Sequence, residues 1–211
     1  MRHQRLISFL LLSLFLLFAL VPLNLWADDS GPSRQLEVSI NQLLEVLRDK
    51  SLKGAEKQNL RHERIAEVVF LQFNMRRMAM LSLGRDWRGL SEDERTHFTD
   101  LFRKLLKKSY VPTIDGYADE QISYRKEVIK GDKAEVRTMV ISRSRDIEIP
   151  LNYRLQFKEG RWLVYDVIIE NVSLVRNYRS QFGPIMKKRG FGELIAQMEK
   201  KVAEAGKEEN G

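Results

Sequence analysis

The sequence predicts an α+β fold, in which helices cover one face of a curved, four-stranded antiparallel sheet and enclose an apolar cavity. Three observations favour this fold. Apolar residues recur at helical spacing before about residue 120 and again after residue 174. Between these segments the spacing changes to the two-residue alternation of strands. Short turns separate the strands, so that they form a meander against which the helices pack as a separate layer.

The N-terminus has the pattern of a cleavable secretory signal peptide, residues 1–27. Arg2 and Arg5 precede an apolar run, residues 6–20, and Ala27 offers a small residue for cleavage. This run is short for a membrane span, which needs about 20 residues. An uncleaved N-terminal anchor is the alternative. We expect residues 28–203 to form one domain and residues 204–211 to form a polar tail.

The composition limits how an exported chain can be stabilised and what it can bind. There is no cysteine, which excludes disulfides and zinc sites built on thiolates. The net charge is +7, and it falls to +5 once Arg2 and Arg5 leave with the signal peptide. The basic clusters at 103–108 and 187–189 fit either solvated helix faces or docking on anionic surfaces. The sequence contains no basic motif interleaved with aromatic residues, so it does not predict nucleic-acid binding.

The first two helices follow from apolar spacing. Residues 33–50 form an amphipathic helix, with Ser33 as its expected N-cap after Pro32. Residues 61–73 are helical again and largely apolar.

Two further helices have clear start signals. Asn74 is the expected N-cap of a short, methionine-rich helix, residues 75–83, that ends at Gly84. Ser91 and Glu94 form a capping box that begins a long helix. The apolar stripe of this helix consists of Phe98, Leu101, Phe102, Leu105, Leu106 and Tyr110.

Four strands follow. Residues 122–130 and 133–143 flank a turn at Gly131 and Asp132, and residues 147–158 alternate strictly between apolar and polar. The last strand, residues 161–170, is apolar on both faces, so it should be covered on both sides. Strict alternation places Val164 and Ile168 together on one of these faces. Residues 174–189 and 192–203 form the closing helices.

The sequence contains no constellation typical of an enzyme. His62 and His97 belong to no paired metal-ligand pattern, and no nucleophile elbow or phosphate-binding loop is present. Asp166, the only charged residue inside the last strand, is the best candidate for acid–base chemistry. The alternative is a structural carboxylate that pairs with an arginine or orients a neighbouring loop. We expect no catalytic activity, no metal and no cofactor.

Six segments together resemble one protein family. The sequence is similar to the MlaC/toluene-tolerance family of periplasmic phospholipid-binding proteins. The similar segments are residues 73–79, 83–88, 90–98, 150–155, 160–167 and 170–182. The similarity covers residues 33–202. Each motif is weak alone, but their order and spacing are specific.

The resemblance implies a fold like nuclear transport factor 2 and a periplasmic lipid carrier that maintains outer-membrane lipid asymmetry. Its cargo would be phospholipid. Its partners would be an outer-membrane lipoprotein–porin complex and an inner-membrane ABC transporter with an MCE-domain subunit, with transient contact to membrane surfaces. We expect a monomer. The alternatives are a carrier of hopanoids or other lipids, a periplasmic adaptor without lipid, and an enzyme that uses Asp166.

The expected acyl-chain contacts lie on the two central helices and on the dry sheet face. Tyr153 could hold its hydroxyl near the cavity mouth. A register error of one residue would change the set on the last strand. The full set is Met78, Leu81, Phe98, Leu101, Phe102, Leu105, Ile149, Leu151, Tyr153, Val164 and Ile168.

Overall fold

The computed structural model describes residues 31–117, 120–142 and 146–208, with the backbone alone for 205–208. The predicted signal peptide lies outside these residues, as do residues 209–211 of the predicted tail. The described residues confirm the α+β class. No helix among them is long and apolar enough to cross a membrane. The helices are α1 (Pro32–Arg48), α2 (Gln58–Leu71), α3 (Met75–Leu83), α4 (Glu92–Asp115) and α5 (Leu174–Glu208).

The last helix, α5, consists of two helical halves that meet at Gly190. This glycine has φ of 83°, a conformation that interrupts the helix and that residues with a side chain rarely adopt. The break lies between the two predicted closing helices and confirms that division. The second half continues to Glu208, so that the first residues of the predicted tail are helical.

Two of the three predicted N-caps are confirmed. The Asn74 side chain accepts a hydrogen bond from the backbone N–H of Arg77, and Ser91 and Glu94 form the capping box at the start of α4. The prediction for Ser33 is wrong, because Gly31 is the N-cap of α1 and Pro32 is its first residue. The backbone N–H of Ser33 instead donates to the Glu127 carboxylate at 2.7 Å, which ties α1 to the sheet.

The sheet has five strands in the order β1-β2-β3-β4-β5, each antiparallel to the next, rather than the predicted four. The fifth strand follows a tight turn in which Glu170 and Asn171 both have positive φ. It has only two residues, too few for alternation to reveal it. The strands are β1 (Gln121–Lys130), β2 (Lys133–Ser142), β3 (Ile147–Lys158), β4 (Arg161–Ile169) and β5 (Val172–Ser173).

One face of the sheet packs against the helices, and we call it the inner face. Its buried residues belong to the same apolar core as the helices, whereas the opposite, outer face of β2 and β3 carries most of the polar side chains of these strands and is more exposed. This confirms the predicted alternation. The buried inner-face residues include Ala134, Val136, Tyr153, Leu155, Trp162, Val164 and Val167.

A β-bulge in β4 corrects the predicted faces of that strand. Val164 lies opposite Leu155, but Asp166 lies opposite Arg154, so Tyr165 is an extra residue without a partner of its own. After the bulge the alternation is reversed. Val164 therefore lies on the inner face, whereas Ile168, opposite Asn152, lies on the outer face. The prediction that these two residues share a face is wrong.

Asp166 is a structural carboxylate. Its side chain is only 1% exposed. It accepts hydrogen bonds from the Ser173 hydroxyl at 2.7 Å and from the backbone N–H of Val175 at 3.2 Å, and Arg154 donates to it at 3.3 Å. These contacts hold β5 and the first turn of α5 against β4.

We expect Asp166→Ala to lower the free energy of unfolding by about 1–3 kcal/mol, because it leaves a buried N–H and a buried hydroxyl without their acceptor. Urea denaturation followed by circular dichroism measures this change. Asp100→Ala, at an exposed position on α4, is the control and should leave the unfolding midpoint nearly unchanged. Equal midpoints for both variants would contradict the structural role of Asp166.

Candidate functional site

The predicted acyl-chain contacts on the helices lie together in the apolar core. Met78 of α3 and four residues of α4 are buried, and Leu81 packs against the same core while remaining partly exposed. On α4 the helical spacing places them on one side of the helix, where Phe98 and Phe102 contact α5. The four residues of α4 are Phe98, Leu101, Phe102 and Leu105.

An aromatic cluster joins α4 to α5. The rings of Phe98 and Phe102 are stacked with centroids 5.9 Å apart. Tyr178 meets Phe102 edge-on at 5.0 Å, and Phe182 meets Phe98 edge-on at 5.8 Å. The predicted contacts on α4 therefore face the aromatic side chains of α5. Sequence analysis did not assign Tyr178 and Phe182, although their spacing from the buried Leu174 marks one face of a helix.

The predicted contacts on the sheet are divided between its two faces. Tyr153 and Val164 are buried on the inner face, and Ile149 and Leu151 are partly buried there. Ile168 is buried on the outer face because of the bulge at Tyr165. The structure thus separates Ile168 from the other predicted contacts.

A small apolar pocket lies on the inner face near the end of α4. Its volume is about 20 Å³, and its lining residues are Tyr117, Val140, Ser142, Ile147 and Ile149. A space of this size holds about one water molecule. It is far smaller than a cavity for acyl chains, so an acyl chain could enter here only if side chains or helices moved.

Two tyrosines bring hydroxyl groups into this apolar interior. Burial raises the pKa of Tyr124, with a further contribution from the Glu37 carboxylate, and burial raises the pKa of Tyr153. Both phenols therefore stay neutral. Tyr153 is buried in the core, so its hydroxyl does not lie at an exposed mouth. The Tyr124 hydroxyl is buried and has no hydrogen-bond partner among the described residues. Sequence analysis missed Tyr124.

The polar residues considered for catalysis lie in separate places. Asp166 is bonded on the outer side of β4 and at the start of α5. His62 is buried beside Asp115, with its Nε2 atom 3.3 Å from a carboxylate oxygen, and His97 is exposed and lies 3.6 Å from Glu199. Within the described ranges, no group of three His, Cys, Asp or Glu residues could hold a metal ion.

Known proteins resemble the chain in sequence and in fold. The "Intermembrane phospholipid transport system binding protein MlaC" of Haemophilus influenzae is 25% identical over 126 residues, which cover 58% of this chain and 59% of that protein. A phospholipid-binding protein from Ralstonia solanacearum, solved in complex with a phospholipid, has a TM-score of 0.74. It is 20% identical, and the match covers 82% of this chain and 97% of that one, which shows a shared fold.

The family comparison covers more of the sequence than the curated relative does. The model of the family described as "MlaC protein" matches residues 37–200, well over half of the chain. This range includes α2, α3, α4 and all five strands. The chain therefore belongs to the MlaC protein family.

Proposed function

We propose that this chain is a periplasmic lipid carrier that binds the acyl chains of phospholipid in its apolar interior and shuttles lipid between the outer and inner membranes. The observation that carries the proposal is the continuous apolar core between α3, α4 and the inner face of the sheet. The phospholipid named for both relatives supports the choice of cargo. The pattern of residues 1–27 supports export, with residues 28–203 as the lipid-binding domain.

The physical need for a carrier follows from the hydrophobic effect. Burying one CH₂ group stabilises by about 0.8 kcal/mol, so a 16-carbon chain represents roughly 10–13 kcal/mol. The carrier must therefore supply a comparable apolar surface. Methionine suits this wall, because its unbranched, polarisable side chain adapts to partners of irregular shape. Met78 is buried, and Met75 and Met80 pack against the core around it.

We further propose that binding widens the interior between α4 and the strands β2 and β3. The pocket of about 20 Å³ lies between these two strands and Tyr117, which follows the end of α4, and Ile149 in its lining is only partly buried. Separation of these elements would produce the enclosed cavity expected of a fold like nuclear transport factor 2. The proposed acyl-chain contacts are the predicted residues other than Ile168. The Tyr124 hydroxyl, which has no hydrogen-bond partner among the described residues, could donate to an ester carbonyl of the lipid.

Release of the cargo would require partners at both membranes. We propose an ABC transporter with an MCE-domain subunit at the inner membrane and a lipoprotein–porin complex at the outer membrane, consistent with the transport system named for the Haemophilus relative. The net positive charge favours acidic docking surfaces, with association rates that fall as salt rises.

The proposed cargo can be identified by extraction. Protein purified without detergent should release phospholipid on extraction with organic solvent, and mass spectrometry of the extract identifies it. The purified protein should also speed phospholipid transfer between two vesicle populations. Recovery of no lipid together with no transfer would contradict the proposal, and recovery of a hopanoid would reassign the cargo.

The location of the acyl chains can be tested by filling the small pocket. Ile149→Trp fills the small pocket and should therefore make the free energy of lipid binding less favourable by about 1–3 kcal/mol. This change lowers lipid affinity roughly 5- to 150-fold. Quantitative extraction of both proteins measures the loss. Ile129→Trp, on the edge strand at a position 50% exposed, is the matched control and should retain its lipid. Equal lipid content in the two variants would contradict a site at this end of the sheet.

A further inference from the structure

An open groove lies between α2, α4 and the start of β4, and none of its lining residues is among the proposed acyl-chain contacts. Its volume is about 360 Å³, near the lower end of the usual range for small-molecule sites, about 300–1,000 Å³. We call it the arginine groove. It is lined by Glu67, Phe70, Leu71, Phe73, Arg103 and Arg161.

The arginine groove combines an apolar floor with two cationic groups. Phe70 and Phe73 meet edge-on at 6.2 Å, and Leu71 is 67% exposed, the highest exposure of a large apolar side chain among the described residues. The guanidinium of Arg103 lies over the Phe70 ring at 5.1 Å, and Arg161 lines the same groove. This combination fits a molecule that carries a negative charge next to an apolar part.

The two arginines have positive charge to offer a ligand. Glu67, the acidic residue in the lining, forms an ion pair with Arg64 at 3.1 Å. Neither Arg103 nor Arg161 forms an ion pair with a carboxylate of the described residues. Guanidinium groups bind phosphate through paired N–H donors, and such charge-assisted hydrogen bonds are stronger than neutral ones.

The floor of the groove is also a wall of the apolar interior. Phe73 forms a bridge to Val164 of β4, and both Phe70 and Phe73 pack in or against the core that holds the proposed acyl-chain contacts. A lipid whose headgroup occupied the arginine groove would therefore have its glycerol end beside Phe73, next to the interior.

We propose that the arginine groove binds the phosphate of the carried phospholipid's headgroup, with Arg103 and Arg161 as its contacts. This inference rests on the proposed function and adds a polar site for the headgroup. Arg103 would then bind a ligand and would not simply belong to a helix face exposed to solvent. The apolar floor distinguishes this groove from a patch that attracts any anion.

The test uses the full mature chain and a short-chain probe, monomeric dihexanoylphosphatidylglycerol, with dihexanoylglycerol as the probe that lacks phosphate. Titration calorimetry measures both. The double substitution Arg103→Gln with Arg161→Gln should weaken binding of the phosphate-bearing probe at least about tenfold and leave binding of the other unchanged. Lys187→Gln with Lys188→Gln removes the same charge from exposed positions on α5 and should match the wild type.

Three results would overturn the proposal. The first is unchanged affinity of the double variant for the phosphate-bearing probe, and the second is an equal loss of affinity for both probes. The third is a double variant that binds both probes normally but no longer sediments with phosphatidylglycerol vesicles, which would indicate docking on a membrane surface. Arg161→Gln alone, at an exposed strand end, gives the same comparison if the double variant does not fold. Extraction of lipid from the wild type tests the proposed carrier function separately. A result against the carrier function can therefore be distinguished from a result against the headgroup site.

Discussion

Strand β4 has hydrogen bonds along both edges, and these hydrogen bonds fix where several helices begin or end. β3 pairs along one edge. On the other edge, the backbone of Val164 bonds with Gln72 and Asn74, between α2 and α3, and the Gln35 side chain of α1 bonds with the backbone of Trp162. Asp166 holds the start of α5. Buried backbone groups without partners would be costly, so these helices are fixed to the sheet at β4.

The remaining helix, α4, is held in a different way. Ion pairs join it to α2, through Arg61 with Asp115 and Glu63 with Lys107, while its buried side, whose rings meet those of α5, is apolar. An apolar interface is non-directional, so under the proposed function contacts between side chains would give way to contacts with an acyl chain. We infer that a carrier needs this exchange to be reversible, because lipid must be both taken up and released.

The sequence predicts the features of this fold that depend on local chemistry. Asn74, the capping box at Ser91 and the turn at Gly131 are each set by a few neighbouring residues. The bulge at Tyr165 could not be predicted, because β4 is apolar on both faces and an added residue leaves that pattern unchanged. The arginine groove joins residues far apart in sequence, and Tyr178 and Phe182 become site neighbours only when α5 packs on α4.

In the proposed mechanism, the interior between α4 and the sheet widens to admit acyl chains. The chain has no cysteine, so Lys104→Cys on α4 and Glu148→Cys on β3 provide unique, exposed sites for spin labels. Double electron–electron resonance then gives the distance between the labels in delipidated protein and in protein loaded with phospholipid. If the interior widens, the distance is longer in the loaded protein. The same distance distribution in both, with lipid binding verified by extraction, would contradict it.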